Sequence, residues 1–175
     1  MGVKHMELWD LVDGNRNKLG RTHQRGIELR SGEYHVVVEI VTINADGRML
    51  LTQRDPVKTY PLLWEITGGS ITAGESSIEG AVRELKEETG LRAVPEQLTK
   101  IGEMKYGHYF RDSYLWKSAE MIQPSEMNLQ PGEVCDAKLV TFDELRRMDE
   151  QGLTVPSVIE RCQLYLEDLQ KMMIG

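Results

Sequence analysis

The chain has 175 residues, of which 40% are hydrophobic and 28% charged, the balance of an ordinary globular domain, and its formal net charge is −7. That charge argues against a general nucleic-acid binder, which would show a basic patch or stripe, but a bound cation could still reverse the local field for a nucleotide. No apolar run reaches the length of a membrane span and no signal peptide is recognisable. Cys135 and Cys162 lack the spacing of a metal or redox pair, so two reduced thiols in a cytoplasmic protein are expected.

In chain order, Met1–His5 is compatible with an added leader ahead of a natural start at Met6. Glu7–Val12 is read as a short edge strand, followed by a turn at Asp13-Gly14-Asn15 and a polar stretch from Asn17 to Gly20. Residues 1–33 together form an N-terminal extension. Tyr34–Ile43, rich in Val and Ile, suits a strand. It reverses at Asn44-Ala45-Asp46-Gly47 into a second strand over Arg48–Arg54. Asp55–Pro61 is a loop, and Leu62–Ile66 is a short strand leading into the pair Gly68-Gly69.

A helix follows. Ser76 and Glu79 have capping-box spacing, Ile78, Ala81, Val82 and Leu85 form its apolar stripe, and Gly90 suits its C-terminal cap. Gly80 inside it costs about 1 kcal/mol relative to Ala, which close packing against a strand would explain. Leu98–Tyr109, Ser113–Ile122 and Val134–Val140 read as further strands. A second capping box at Thr141-Phe142-Asp143-Glu144 opens a helix to about Met148. The pattern Val158, Ile159, Cys162, Leu166 and Leu169 predicts an amphipathic helix over Val155–Met173, with residues 151–175 packing on the domain formed by 34–150. Strand-rich with three helices, the chain is expected to be α+β.

The most informative residues lie on the first helix. Glu84, Glu87 and Glu88 share one face and should repel one another, so the cluster points to a divalent cation, because hard cations take carboxylate oxygens. Together with the preceding Gly-rich loop, it suggests a metal-dependent enzyme acting on phosphates. Arg54 and Lys58, at the end of a strand just before that loop, suit phosphate as a fork and a point charge.

The run from 69 to 91 resembles the Nudix hydrolase signature, G-x5-E-x7-R-E-U-x-E-E-x-G-U with U bulky and apolar. The matching positions are Gly69, Glu75, Arg83, Glu84, Leu85, Glu87, Glu88, Gly90 and Leu91. Trp64-Glu65 and Gly68-Gly69 are similar to the family's lead-in. The resemblance implies a Nudix fold, a mixed β-sheet sandwiched between helices. It also implies Mg²⁺ or Mn²⁺ as cofactor and hydrolysis of a phosphoanhydride in a nucleoside diphosphate-linked or other small organic diphosphate. On this reading Glu84 and Glu88 are direct metal ligands, Glu87 is a third ligand or the base, and the Gly68 carbonyl is a further ligand. Arg83, expected on a different face from Glu87, orients a carboxylate with Glu75 as its partner. Glu133 is similar to an acidic position that some members use as an extra ligand or base. Gly69, Glu75 and Gly90 are supporting residues, and a homodimer is the default assembly.

His35, the Asn44–Gly47 turn and the Arg54/Lys58 pair also resemble the isopentenyl-diphosphate isomerases of the same fold. Those enzymes need a Cys after the Trp and a metal-binding His close behind it. Here the segment is Trp64-Glu65-Ile66-Thr67-Gly68-Gly69-Ser70, with neither, so a hydrolase is expected. The alternatives are an isomerase-like enzyme and a non-catalytic nucleotide-sensing module.

Overall fold

A computed structural model describes residues 7–165, 167 and 169. The leader expected at Met1–His5, Leu166, and the end of the predicted C-terminal helix lie outside the described residues. Strands β1 (Leu8–Val12) and β2 (Lys18–Gln24) pair antiparallel as a two-stranded ribbon. The stretch expected to be merely polar after Asn17 therefore opens a strand. Its residues alternate without burial, because this ribbon has one partner and no second face to cover.

Strands β3 (His35–Ile43), β4 (Met49–Arg54), β5 (Trp64–Glu65), β6 (Gly68–Ser70), β7 (Thr99–Tyr106), β8 (Tyr109–Lys117) and β9 (Val134–Val140) form one mixed sheet. Its path runs β5-β4-β3-β8-β7, with β6 also on β3 and β9 on β4. β3 and β8 are parallel and the other pairs antiparallel. Helix α1 (Ser77–Thr89) covers one face, and helices α2 (Phe142–Glu150) and α3 (Val158–Leu164) cover the other. The architecture is thus the expected α+β mixed sheet between helices. β3 shows why both faces are covered. Val36, Val38 and Ile40 pack with Ala81 and Leu85 of α1, while Val41 and Ile43 pack with Val158 and Cys162 of α3.

Both predicted capping boxes form, at Ser76/Glu79 and Thr141/Glu144. Gly90 ends α1 at φ 76°, where an L side chain is strained. Two expectations fail. The short strand begins at Trp64 rather than Leu62, whose φ of 60° takes it out of extended geometry. The β7–β8 turn falls at Gly107-His108, not at residues 110–112. The cause of that shift is Asp112. It is polar like a turn residue, yet it sits in β8 with a fully buried side chain, because Arg16 and Lys100 pair with it at 2.7 and 2.9 Å and Ser77 donates to it.

Asp112 thereby ties the N-terminal ribbon and α1 to the centre of the sheet. The ribbon is further held by Trp9, which stacks on His35 at 3.9 Å between ring centroids. Burial pushes the His35 pKa down to about 4, so the stacked ring is neutral near pH 7. Leu8 also accepts a backbone hydrogen bond from Ala73 at 2.8 Å. These contacts place the ribbon against the loop that leads into α1.

Burial opposes ionisation of Asp112, but its bonds from Arg16, Ser77 and Lys100 outweigh that and hold its pKa at about 2, below the ordinary 3.8. Its contribution is therefore complete above the unfolded value and lost as pH falls through about 2. Asp112→Asn is expected to cost about 3 kcal/mol at pH 7, since it removes the buried charge that Arg16 and Lys100 share and leaves both with Glu103 alone. The difference from wild type should shrink as pH falls from 4 towards 2, as read by urea unfolding.

Candidate active site

A cleft of about 800 Å³ opens where α1, β6, β5, the end of β4 and the loop before β9 converge. Gly68 and Gly69 build its floor by close approach. A Cβ at Gly68 would meet the Val38 carbonyl, and one at Gly69 would meet the Glu84 carboxylate. Gly80 has a similar reason, since a Cβ there would strike the Ile71 side chain, which follows β6.

The three glutamates of α1 all line this cleft, with different environments. Glu88 is 7% exposed, and among the described residues the one hydrogen bond to its carboxylate is from the Gly68 N–H at 3.4 Å. Burial, then the charges of Glu84 and Glu65, push its pKa well above the ordinary carboxylate value. The Glu84 side chain is 13% exposed. Burial raises its pKa to about 7 despite Arg83, with Glu87 and Glu7 adding to the rise. Glu87 is exposed at the cleft edge.

Arg83 holds the loop to the helix. Its Nε and Nη2 donate to the two oxygens of Glu75 at 2.6 and 3.0 Å, and Nη2 also donates to the Ser70 carbonyl. The Arg83–Glu75 partnership is therefore as expected. Its separation from Glu87 is not: Nη1 donates to Glu84 at 3.0 Å and to Glu87 at 2.9 Å. Positions 83 and 87 are one turn apart and so lie side by side.

Arg54 and Lys58 reach the cleft but each has a carboxylate partner. Arg54 donates to both oxygens of Glu65 at 2.7 and 2.8 Å, and Lys58 pairs with Glu133. Glu133 is thus brought to the cleft that Gly68 and Gly69 also line, although it is far from them in sequence. Gly90 caps α1 away from the cleft and supports the helix that carries the glutamates.

Sequence reasoning missed four cleft residues. Glu65 raises the Glu88 pKa and so belongs to the carboxylate cluster; its own pKa is raised by burial against Arg54. The Trp64-Glu65 lead-in was its only signal. Arg161 of α3 pairs with Glu39 at 2.8 Å, in a buried network that includes Ser113 and Tyr165. Arg25 comes from the end of the ribbon, and Arg111 comes from β8. No local pattern marks those three, because each reaches the cleft through tertiary pairing.

The residues fit a hard divalent cation. Burial raises the pKa of both Glu84 and Glu88, neighbouring carboxylates add to the rise, and Glu88 has almost no donor to satisfy it. Among the described residues no three His, Cys, Asp or Glu side chains are grouped so as to hold a metal ion on their own, so water and substrate would have to complete the set. Such an open face suits Mg²⁺, which keeps waters and takes substrate phosphates as part of its octahedron.

The NUDIX domain family model matches residues 33–158. An uncharacterized Nudix hydrolase of Listeria monocytogenes is 34% identical over 155 residues, covering 86% of this chain and 89% of its own. The isopentenyl-diphosphate Delta-isomerase of Streptomyces avermitilis is 30% identical over 152 residues, covering 82% of this chain and 76% of its own. In fold, the chain is similar to a solved Deinococcus radiodurans protein. That likeness has a TM-score of 0.74 at 19% identity and covers 91% of this chain and 99% of the other.

The Glu84 pKa of about 7 lies above the ordinary 4.5. The folded state therefore keeps a proton that the unfolded chain releases, and stability falls as pH rises from about 4.5 to 7. In the presence of a chelator, Glu84→Gln should flatten this loss and gain up to about 3 kcal/mol at pH 8. Urea unfolding of both proteins from pH 5 to pH 8 measures it.

Proposed function

The chain belongs to the Nudix hydrolase family, whose general activity is pyrophosphohydrolysis, and from that premise we propose a metal-dependent attack of water on a phosphoanhydride of a small nucleoside diphosphate-linked or similar organic diphosphate. One observation carries this reading: Glu88, buried and short of donors, is held beside the largely buried Glu84 at the edge of an open cleft. A Mg²⁺ or Mn²⁺ ion there would neutralise phosphate oxygens and acidify the attacking water.

The chain's own residues do the rest. Glu84 and Glu88 would hold the cation, with the Gly68 carbonyl as a further ligand. Arg83 fixes Glu84 and Glu87 relative to the loop through Glu75 and Ser70. The proton of the attacking water goes to one of the two carboxylates at the cleft rim, Glu87 or Glu133. Lys58 steadies Glu133, and Arg54 holds Glu65 close to Glu88. The two unpaired thiols suit a reducing cytoplasm. No helix among the described residues is long and apolar enough to cross a membrane.

The isomerase reading is disfavoured by a second observation. Among the described residues no cysteine lines the cleft: Cys162 is buried in the core under α3, and Cys135 lies against Gln53 and Arg54 on β4.

A panel of nucleoside di- and triphosphates, sugar nucleotides, dinucleoside polyphosphates and isoprenyl diphosphates, assayed with Mg²⁺, should yield turnover for at least one class. Glu88→Gln should abolish it. Glu87→Gln and Glu133→Gln separate the proton acceptor. The variant at the true base loses about 10²- to 10⁴-fold in kcat together with the acidic limb of the pH profile, while the other keeps that limb. Conversion of isopentenyl to dimethylallyl diphosphate would instead support the isomerase.

A further inference from the structure

The cleft is lined by six cations, and five are already neutralised. Arg25 pairs with Glu7, Arg54 with Glu65, Lys58 with Glu133, Arg83 with Glu75, Glu84 and Glu87, and Arg161 with Glu39. Arg111 is the exception. Among the described residues no carboxylate pairs with it. Its one hydrogen bond runs from Nη2 to the Tyr109 hydroxyl at 2.9 Å, and its guanidinium lies 5.4 Å from the centre of that ring. Nε and Nη1 have no hydrogen-bond partner among the described residues, and the side chain is half-buried in the cleft wall.

Strand register places this free guanidinium. Arg111 lies opposite Val37 across the parallel β3–β8 pair, and Val37 lies opposite Ser70 across β3–β6. All three line the cleft. With neighbouring strands about 4.8 Å apart, Arg111 stands about 10 Å, backbone to backbone, from the loop that carries Gly69 and Ser70. The long side chain closes much of that span. One row deeper, Ser113, Glu39 and Gly68 are in register, and there Arg161 and Ser113 already satisfy the Glu39 carboxylate. Free positive charge is therefore found on the outer row and not on the inner one.

We propose that Arg111 is the substrate's anion anchor, taking the phosphate of a diphosphate that the carboxylate cluster does not hold. The assignment rests on the diphosphate reading above and deepens it. The phosphate-binding role moves from Arg54 and Lys58, whose charges are spent on Glu65 and Glu133, to a residue on the opposite wall. Tyr109 takes one Nη2 hydrogen, so one edge of the planar guanidinium, the other Nη2 hydrogen with either Nε–H or Nη1–H, is left to match two phosphate oxygens bidentately. The Tyr109 hydroxyl holds the guanidinium through Nη2, which limits the entropy lost on binding.

The test uses the full chain and inorganic pyrophosphate titrated calorimetrically with Mg²⁺ in excess, beside Mn²⁺ alone as a metal-binding control. Arg111→Ala and Arg111→Gln should weaken pyrophosphate binding about 10- to 100-fold and reduce its salt dependence. Arg111→Lys should recover part of the loss, and Mn²⁺ binding should match wild type throughout. For whichever compound is hydrolysed, Arg111→Ala should raise KM more than it lowers kcat.

Unchanged pyrophosphate affinity in Arg111→Ala overturns the assignment, as does failure of the wild type to bind pyrophosphate. A loss of Mn²⁺ binding equal to that of pyrophosphate also overturns it, because it assigns Arg111 a structural role. The two readings fail separately. Arg111-dependent binding without hydrolysis of any compound removes the hydrolase and keeps the anchor, while hydrolysis with Arg111-independent binding does the reverse.

Discussion

Two buried carboxylates, Glu84 and Glu88, set the terms for the rest of the molecule. Burial raises the pKa of each, with the charges of Glu87 and Glu7 adding at Glu84 and those of Glu84 and Glu65 at Glu88. Holding them together costs stability, so their surroundings must over-determine their position. α1 does this through local means: a capping box at its start, Gly90 at its end, and Ala81 and Leu85 buried against β3. Gly68 and Gly69 let the loop approach closely enough for the glutamates to meet it. Arg83 then locks loop to helix with hydrogen bonds to Glu75 and Ser70.

Around this cluster charge is balanced pairwise rather than left free. Arg54–Glu65, Lys58–Glu133 and Arg161–Glu39 join elements distant in sequence and bring them to one cleft. The N-terminal ribbon, outside residues 33–158 matched by the family model, adds Arg25 and Glu7 to the wall. Its attachment through Trp9–His35 and Arg16–Asp112 makes it a structural part of the site rather than an appendage. The result is a cleft with little uncommitted positive charge, in which a cation at the carboxylates and the Arg111 guanidinium become the available attractors for phosphate.

What could be read from the sequence was what is encoded locally. The α1 boundaries, both capping boxes, the Gly90 cap and the Arg83–Glu75 partnership all lie within a few turns of chain. Mixed-sheet architecture followed from strand composition and from the resemblance carried by residues 69–91. What the sequence did not show has a common cause, which is tertiary pairing of charged groups. Arg54 and Lys58 looked like free phosphate ligands because Glu65 and Glu133 meet them only in space, and in the second case 75 residues separate the partners. The strand pattern places residues 110–112 between strands, whereas Asp112 lies within β8 because its charge is matched by Arg16, 96 residues away. Arg111 gave no signal, since its importance lies in lacking the carboxylate that its neighbours have.

The most direct measurement is calorimetric titration of the chelator-treated protein with Mn²⁺ at pH 6 and at pH 8, in two buffers of different ionisation enthalpy. If Glu84 and Glu88 are the cation's ligands, binding releases protons at pH 6, tightens towards pH 8, and disappears in Glu88→Gln. Binding that is absent in the wild type, or that persists unchanged in Glu88→Gln with no proton release, contradicts the assignment.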